Sequence, residues 1–168
     1  MLVSLLLLDV VSMRFSQDKV VYLSSVGLQP VVIVNSIWMF SKRYGCPDVI
    51  YVFPTRETEK FIESIIEAVK CICRNIKVEK RLVNDIDISR LIRDFSDVIR
   101  ECKEKGYKTV VDVTAGRKTM SIALYSAAVQ TGVDAIIYVH LKDAYYLGYV
   151  LPLIPRSLIS LVVLNGED

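Results

Sequence analysis

The chain has 168 residues, and its 21 lysines and arginines against 19 acidic residues give a formal net charge of +2. This length fits one domain, and the nearly balanced charge argues against the extended grip on duplex nucleic acid that counterion release drives. The single histidine, His140, excludes two-histidine metal motifs and disfavours a histidine-rich catalytic centre. We therefore expect no metal and no other cofactor.

The first 13 residues are largely apolar, but they lack the basic start of a signal peptide. Asp9 interrupts them well short of the roughly 20 apolar residues that cross a membrane. We expect a cytoplasmic protein that does not contact membranes, with residues 1–18 as an N-terminal extension or an extra strand. Met13 is an alternative start.

The four cysteines are not spaced as zinc ligands. Cys71 and Cys73 fall in a predicted helix, where side chains two positions apart point to opposite sides and cannot share a metal. We predict buried thiols in a reducing compartment, at Cys46, Cys71, Cys73 and Cys102.

Strands and helices alternate along the chain from residue 19. Apolar runs predict strands at 19–24, 48–53, 77–83, 109–113 and 134–141. Helical periodicity follows each of the first four, although residues 31–34 in the first helix also have strand propensity. Thr55 and Asp87 are predicted N-caps, and Gly106 and Gly132 are predicted helix C-terminal glycines. Two further strands are predicted at 147–151 and 158–164.

This alternation implies right-handed βαβ units and a mostly parallel sheet with helices on both faces. We predict a single α/β domain of Rossmann-like fold over residues 1–168. Ligands of such sheets bind beyond the carboxyl ends of the strands, where the strand order reverses. The loops after the first and fourth predicted strands are therefore the candidate binding elements.

These loops, residues 24–30 and 114–121, each join a glycine and hydroxylated residues to the start of a helix. Gly27 and Gly116 would let a ligand approach backbone N–H groups, and helix N-termini favour phosphate. Arg117 and Lys118 add positive charge. The pattern indicates a phosphate-binding crevice, with two ordinary βα turns and solvated cations as the alternative. Neither a GxGxxG fingerprint nor a complete P-loop is present, which disfavours dinucleotides and NTP hydrolysis.

The segment VDVTAGRKTMS at residues 111–121 resembles the signature of CARF domains, the CRISPR-associated Rossmann fold. SVGLQP at 25–30 is similar to the first loop of that family, and LPLIPR at 151–156 to the C-terminal stretch of archaeal members. The family binds cyclic oligoadenylates, the second messengers of type III CRISPR defence, as homodimers. The resemblance implies such a ligand here, in particular cyclic tetra-adenylate, whose rotational symmetry suits a twofold dimer.

The resemblance also assigns site residues in and around both loops. The ligand-binding positions that it implies are Gly27, Leu28, Pro30, Thr55, Thr114, Ala115, Gly116, Ser121 and Lys142. The residues that it implies for cleavage are Ser25, Gln29, Arg117 and Lys118.

Members of this family are either sensors joined to an effector domain or small ring nucleases that cleave the messenger. No arginine precedes His140 at the spacing of a HEPN ribonuclease motif, and little chain follows the predicted sheet, which favours a ring nuclease. Such cleavage is metal-independent: a ribose 2′-hydroxyl attacks the adjacent phosphate, which leaves linear di-adenylate with a 2′,3′-cyclic phosphate. Gln29 stands where family nucleases often have serine, and Ala115 replaces a glycine. A non-catalytic sensor or sink is therefore the alternative.

Overall fold

The computed structural model of the protein describes residues 18–165, which form a six-stranded sheet covered by helices. The strands are β1 (Val20–Ser25), β2 (Val49–Phe53), β3 (Lys77–Lys80), β4 (Lys108–Asp112), β5 (Ala135–Leu141) and β6 (Ile159–Val163). The helices are α1 (Pro30–Tyr44), α2 (Ile62–Ile72), α3 (Ile88–Glu104) and α4 (Lys118–Thr131). The expected N-terminal extension or extra strand falls almost entirely on residues 1–17, outside the described residues.

The strand order is β3-β2-β1-β4-β5-β6, and all neighbours are parallel except β5 and β6. From β1 the chain moves outward to β2 and β3, then crosses back to place β4 on the other side of β1. The order therefore reverses between β1 and β4, which is where sheets of this class bind ligands. The predicted Rossmann-like α/β fold is confirmed.

The centre of the sheet is apolar on both faces. On β1, Val21 and Leu23 pack toward α3 and α4, while Tyr22 packs on the side of α1 and α2. All three are fully buried. Each aliphatic side chain buried in this way contributes roughly 1.5–3 kcal/mol, so the central strands hold the loops that follow them in fixed positions.

Two predicted features of local structure are wrong. Residues 147–151 are not a strand, because Gly148 has a φ of +87° and the Asn35 side chain binds the backbone of Tyr149 and Leu151 in place of a neighbouring strand. Thr55 is not a helix N-cap, since its backbone N–H donates to Thr58 Oγ1 and a 3₁₀ turn at Glu59–Phe61 precedes α2. The remaining predicted tail strand is confirmed as β6, and Asp87 caps α3 through Arg90 N.

The prediction of four buried thiols is wrong at three cysteines. Cys46, in the turn before β2, and Cys73, at the end of α2, form a disulfide, and Cys71 is an exposed free thiol. Cys102 is the buried thiol that the sequence predicts, and burial, followed by the charge of Glu101, raises its pKa to about 11.

Among residues 18–165, every helix is too short or too polar to cross a membrane.

Candidate functional site

A buried carboxylate lies at the centre of the site, at the end of β4. Asp112 Oδ1 accepts hydrogen bonds from the backbone N–H and the hydroxyl of Thr114, and Oδ2 accepts from Ser24 Oγ at 3.0 Å and Tyr22 Oη at 2.8 Å. The Tyr22 hydroxyl also lies 2.9 Å from Ser36 Oγ on α1. Burial raises the pKa of Tyr22 well above its usual range, and the charge of Asp112 raises it further. This tyrosine therefore stays protonated as a donor to the carboxylate.

Thr114 extends this network to the edge of the sheet. Its hydroxyl donates to Asp112 and accepts the backbone N–H of Val139 on β5 at 2.8 Å. One fully buried carboxylate thus ties β1, β4, β5 and the loop after β4 together. Asp112 therefore orients this loop, and both of its carboxylate oxygens accept hydrogen bonds.

The loops after β1 and β4 touch each other at their glycines. Gly116 has a φ of +101°, and a Cβ added there would lie 2.2 Å from Ser25 Oγ. A Cβ on Gly27 would lie 3.0 Å from Gly116 N. Ser25 Oγ donates to Ala115 O at 2.6 Å, and Ser121 Oγ donates to the same carbonyl at 3.2 Å. Close approach therefore requires glycine at both positions.

A shallow groove of about 310 Å³ lies over this contact. Seven of the predicted site residues line it, namely Gly27, Leu28, Gln29, Thr114, Ala115, Gly116 and Arg117. Two helices start at its walls: Gln29 is the N-cap of α1, with Pro30 as the first helical residue, and Arg117 is the N-cap of α4. Within the described chain neither cap side chain bonds its own helix, so the positive ends of both helix dipoles remain available to an anion.

The positive charges beside the groove differ in their surroundings. Lys118 is exposed at the first turn of α4 and forms no ion pair with residues 18–165. The Arg117 guanidinium instead binds two carboxylates, those of Glu57 and Asp85, with 2.5 Å between Nη1 and Asp85 Oδ2.

A second groove of about 400 Å³ adjoins the first on the β5 side, and Thr114 and Val32 line both. Its walls include Lys142 and three tyrosines, Tyr138, Tyr146 and Tyr149. Tyr146 and Tyr149 lie with ring centroids 5.5 Å apart at an angle of 71°. Aromatic rings and a cation beside a phosphate-sized groove are suited to a nucleobase and its backbone.

A third groove of about 620 Å³ adjoins the first on the β2 side and shares Arg117 with it. Thr55 lines this third groove, together with Glu57 and Asp85.

The structure thus brings most predicted residues to one line of grooves along the carboxyl edge of the sheet. Ser25 and Ser121 lie beneath the first groove and hold the Ala115 carbonyl, so their hydroxyls position the loop in this structure. Lys142 lies in the second groove and Thr55 in the third.

Sequence reasoning missed the partners of the site more than the site itself. The sequence does not predict the partners of Asn35, Glu57 and Asp85, because each is one polar residue among many and its partner lies 32 to 116 positions away. The sequence offers one sign of these partners for Arg117. A carboxylate that follows β2 or β3 lies at the carboxyl edge of the predicted sheet, where Arg117 is also expected.

Known proteins share both the sequence pattern and the fold. A family model described as the Csa3 CRISPR-associated Rossmann-like domain matches residues 20–148. A comparison with curated protein sequences gave no match.

Three solved structures are similar in fold. Can2 from Sulfobacillus thermosulfidooxidans, in complex with cyclic tetra-adenylate, has 13% identity and a TM-score of 0.58 over 73% of this chain and 32% of its own. A type III CRISPR defence DNA nuclease activated by cyclic oligoadenylate has 15% identity and a TM-score of 0.60 over 90% and 20%. Csm6 from Enterococcus italicus, bound to cyclic hexa-2′-fluoro-hexa-dAMP, has 15% identity and a TM-score of 0.59 over 76% and 34%.

The chain spans at most about a third of the length of these three proteins, and at such identities the likeness concerns the fold. The family model is the stronger finding, because it matches well over half of the chain and includes both glycine loops. The resemblance seen in the two loop motifs is confirmed, and the chain belongs to the family of CRISPR-associated Rossmann-like domains that the Csa3 model describes.

Proposed function

We propose that this domain binds a cyclic oligoadenylate, cyclic tetra-adenylate in particular, across the twofold axis of a homodimer. The observation that carries the proposal is the meeting of two glycine loops and two helix N-termini at one groove, at the switch point of the sheet. Cyclic tetra-adenylate is the ligand named for Can2, cyclic oligoadenylate is the activator named for the DNA nuclease, and cyclic hexa-2′-fluoro-hexa-dAMP is the ligand named for Csm6.

The residues around the first groove are suited to bind a phosphate. The first turns of α1 and α4 supply backbone N–H groups and positive dipole ends, and Lys118 supplies a full charge. Gly116, with a φ of +101°, lets the loop after β4 lie close against Ser25, so that this loop lines the groove with backbone that a phosphate can approach.

The residues of the second groove are suited to bind a base. Because Thr114 lines both grooves, a nucleotide with its phosphate over Gly116 places its base toward Tyr146 and Tyr149. Stacking of a base on an aromatic side chain contributes about 1–3 kcal/mol. Lys142 lines the same wall and is placed to contact a backbone oxygen.

Homodimer formation is supported by an uncovered apolar surface beside the groove. The outward face of α4 carries an exposed apolar stripe, formed by Ile122, Tyr125 and Val129. Tyr138 on β5 and its cross-strand partner Val162 on β6 are also exposed, on the face of the sheet where Ile136 packs against α4. Soluble monomers rarely expose apolar surface of this kind.

A second copy is the occupant that fits this surface. The stripe begins four residues after Lys118, so a twofold axis through it brings two phosphate grooves side by side for one symmetric ring. We expect Tyr125→Asp to lower the mass measured by analytical ultracentrifugation from dimer to monomer and to weaken ligand binding. A dimer that persists in this variant contradicts the assignment of the interface to α4.

Cleavage of the bound ring is the second part of the proposal. Gln29 is exposed and lines the groove at the start of α1, and Lys118 is exposed in the first turn of α4, next to Arg117 of the groove wall. A hydrogen-bonding amide and a cation so placed are suited to align a 2′-hydroxyl and stabilise charge on the phosphate. A domain that binds the ring and leaves it intact is the alternative, as a sensor or a sink.

Incubation of the protein with labelled cyclic tetra-adenylate in EDTA tests both parts. Binding with linear di-adenylate products supports the ring nuclease, whereas binding with intact ligand supports the sensor or sink. Absence of binding overturns the proposed function.

The variant Lys118→Ala tests the site within the same assay. We expect binding to weaken at least about tenfold, since charge-assisted contacts contribute roughly 1.5–3 kcal/mol and about 1.4 kcal/mol is a factor of ten. The slope of log affinity against log salt should be about 0.7 smaller. Lys70→Ala, which removes an exposed lysine near the end of α2, is the control and should bind as the wild type does. Equal affinity of Lys118→Ala and wild type at every salt concentration removes Lys118 from the site.

A further inference from the structure

Arg117 belongs to two grooves at once. As the N-cap of α4 it lines the first groove, over the two glycine loops, and its side chain reaches the third groove. There the guanidinium binds Glu57 in the segment after β2 and Asp85 in the segment after β3. One side chain therefore bridges three segments at the carboxyl edge of the sheet.

The two carboxylates are a strong local counter-charge for this arginine. Separate guanidinium nitrogens bind them, Nη2 to Glu57 and Nη1 to Asp85. The Asp85 side chain is only 14% exposed, against 50% for Arg117 and 50% for Glu57, so water screens this pair less than a fully exposed one. Two negative charges on one positive charge oppose its transfer to any other anion.

We propose that Glu57 and Asp85 form a carboxylate latch that holds Arg117 away from the phosphate groove, and that a nucleotide phosphate binds fully only by drawing Arg117 off these two residues. This inference rests on the proposed function, because the phosphate that competes is that of the cyclic oligoadenylate. The latch sets the affinity of the site below what its cations alone would give. It also releases the segments after β2 and β3 when the ligand takes Arg117.

The test measures affinity for labelled cyclic tetra-adenylate in Glu57→Gln, in Asp85→Asn and in the double variant. Each single change is expected to tighten binding roughly two- to fivefold, the range of partly exposed ion pairs, and the double change by more. The slope of log affinity against log salt should become steeper by about 0.7, because one more cation now binds a phosphate.

Matched controls separate the latch from a general change of charge. Glu59→Gln removes the same charge two residues from Glu57, but Glu59 pairs with Lys80 at 2.7 Å. Asp94→Asn removes a carboxylate of the third groove that pairs with Arg90 at 3.8 Å. Neither control should change the affinity or the salt slope.

The background variant Arg117→Ala gives the decisive comparison. The latch requires that Glu57→Gln and Asp85→Asn gain nothing when Arg117 is absent, whereas a simple reduction of negative charge acts with or without it. Glu57 is half exposed, so Glu57→Gln also serves if Asp85→Asn does not fold.

The outcomes distinguish the latch from the proposed function. Tighter binding that depends on Arg117 supports the latch. Wild-type binding that Glu57→Gln and Asp85→Asn leave unchanged or weaken overturns the latch and leaves the proposed function in place. Absence of binding by the wild type and all latch variants overturns both.

Discussion

Substitution of Gly116 by alanine tests the contact between the two glycine loops most directly. Gly116 combines a left-handed backbone with a close neighbour: its φ is +101°, and an added Cβ would lie 2.2 Å from Ser25 Oγ and 3.0 Å from Ser25 Cβ. No real Cβ tolerates the shorter distance. Ser25 must therefore move, although it is fully buried and donates to Ala115 O.

The cost of Gly116→Ala has two parts. A left-handed alanine costs about 1–2 kcal/mol relative to glycine. Displacement of the Ser25 hydroxyl loses a hydrogen bond and leaves buried polar atoms unpaired, for roughly 1–3 kcal/mol more. We expect the free energy of unfolding to fall by about 3 kcal/mol, which lowers the Tm of a domain of this size by roughly 6–12 °C.

Gly106→Ala is the matched control for the backbone part of this cost. Gly106 also has a left-handed φ, of +80°, but no atom of the described chain lies within 4 Å of an added Cβ. The control should therefore lose only about 1–2 kcal/mol, and urea titrations of both variants measure the difference. On a Ser25→Gly background, the extra cost of Gly116→Ala should disappear. Equal losses in the two alanine variants, or an extra cost that survives without Ser25, would refute the contact.

Two further substitutions and reduction of the disulfide test other parts of the fold. Burial would raise the pKa of Asp134, but hydrogen bonds from Thr109 and the ion pair with Lys108 together outweigh it and hold this pKa below its usual value. The contribution of Asp134 to the free energy of unfolding is then complete above about pH 4 and is lost as the pH falls through the folded pKa. Asp134→Asn should therefore lower the free energy of unfolding, measured by urea titration, by about 1–2 kcal/mol at pH 7 and by much less near pH 2. The same loss at both pH values would contradict this prediction. Reduction of the disulfide should lower stability by about 2–4 kcal/mol in the wild type and leave Cys46→Ser, which lacks its bond to Cys73, unaffected in the same titration. Asp112→Asn should cost about 3 kcal/mol, because an amide cannot accept all the hydrogen bonds that converge there, and a thermal shift below 3 °C would contradict this.

The fold and the position of the site could be predicted from local sequence patterns. The apolar runs in the central strands and the amphipathic pattern of α3 indicate burial through residues that are neighbours along the chain. The two glycine loops follow β1 and β4 directly, so the topology rule alone places them together. Both inferences need only short-range information.

The parts that could not be predicted all depend on contacts between distant segments. Cys46 and Cys73 are 27 positions apart, and their approach follows from how α2 packs beside the turn before β2. Arg117 meets its carboxylates across 60 and 32 positions. Asn35 replaces a predicted strand pairing only because the tail folds back over α1. The spacing of residues along the sequence does not indicate such long-range contacts.

The division between a buried centre and a charged rim determines how the site should respond to change. Asp112 and Thr114 fix the loop after β4 through buried hydrogen bonds, so little of the free energy of ligand binding is needed to order it. The exposed cations at the rim then contribute most of the free energy of binding that a substitution can change, and this is also the contribution that salt screens. Asp112→Asn should consequently reduce stability at every salt concentration, while changes at the exposed Lys118 and Glu57 alter affinity and its salt dependence with little effect on folding.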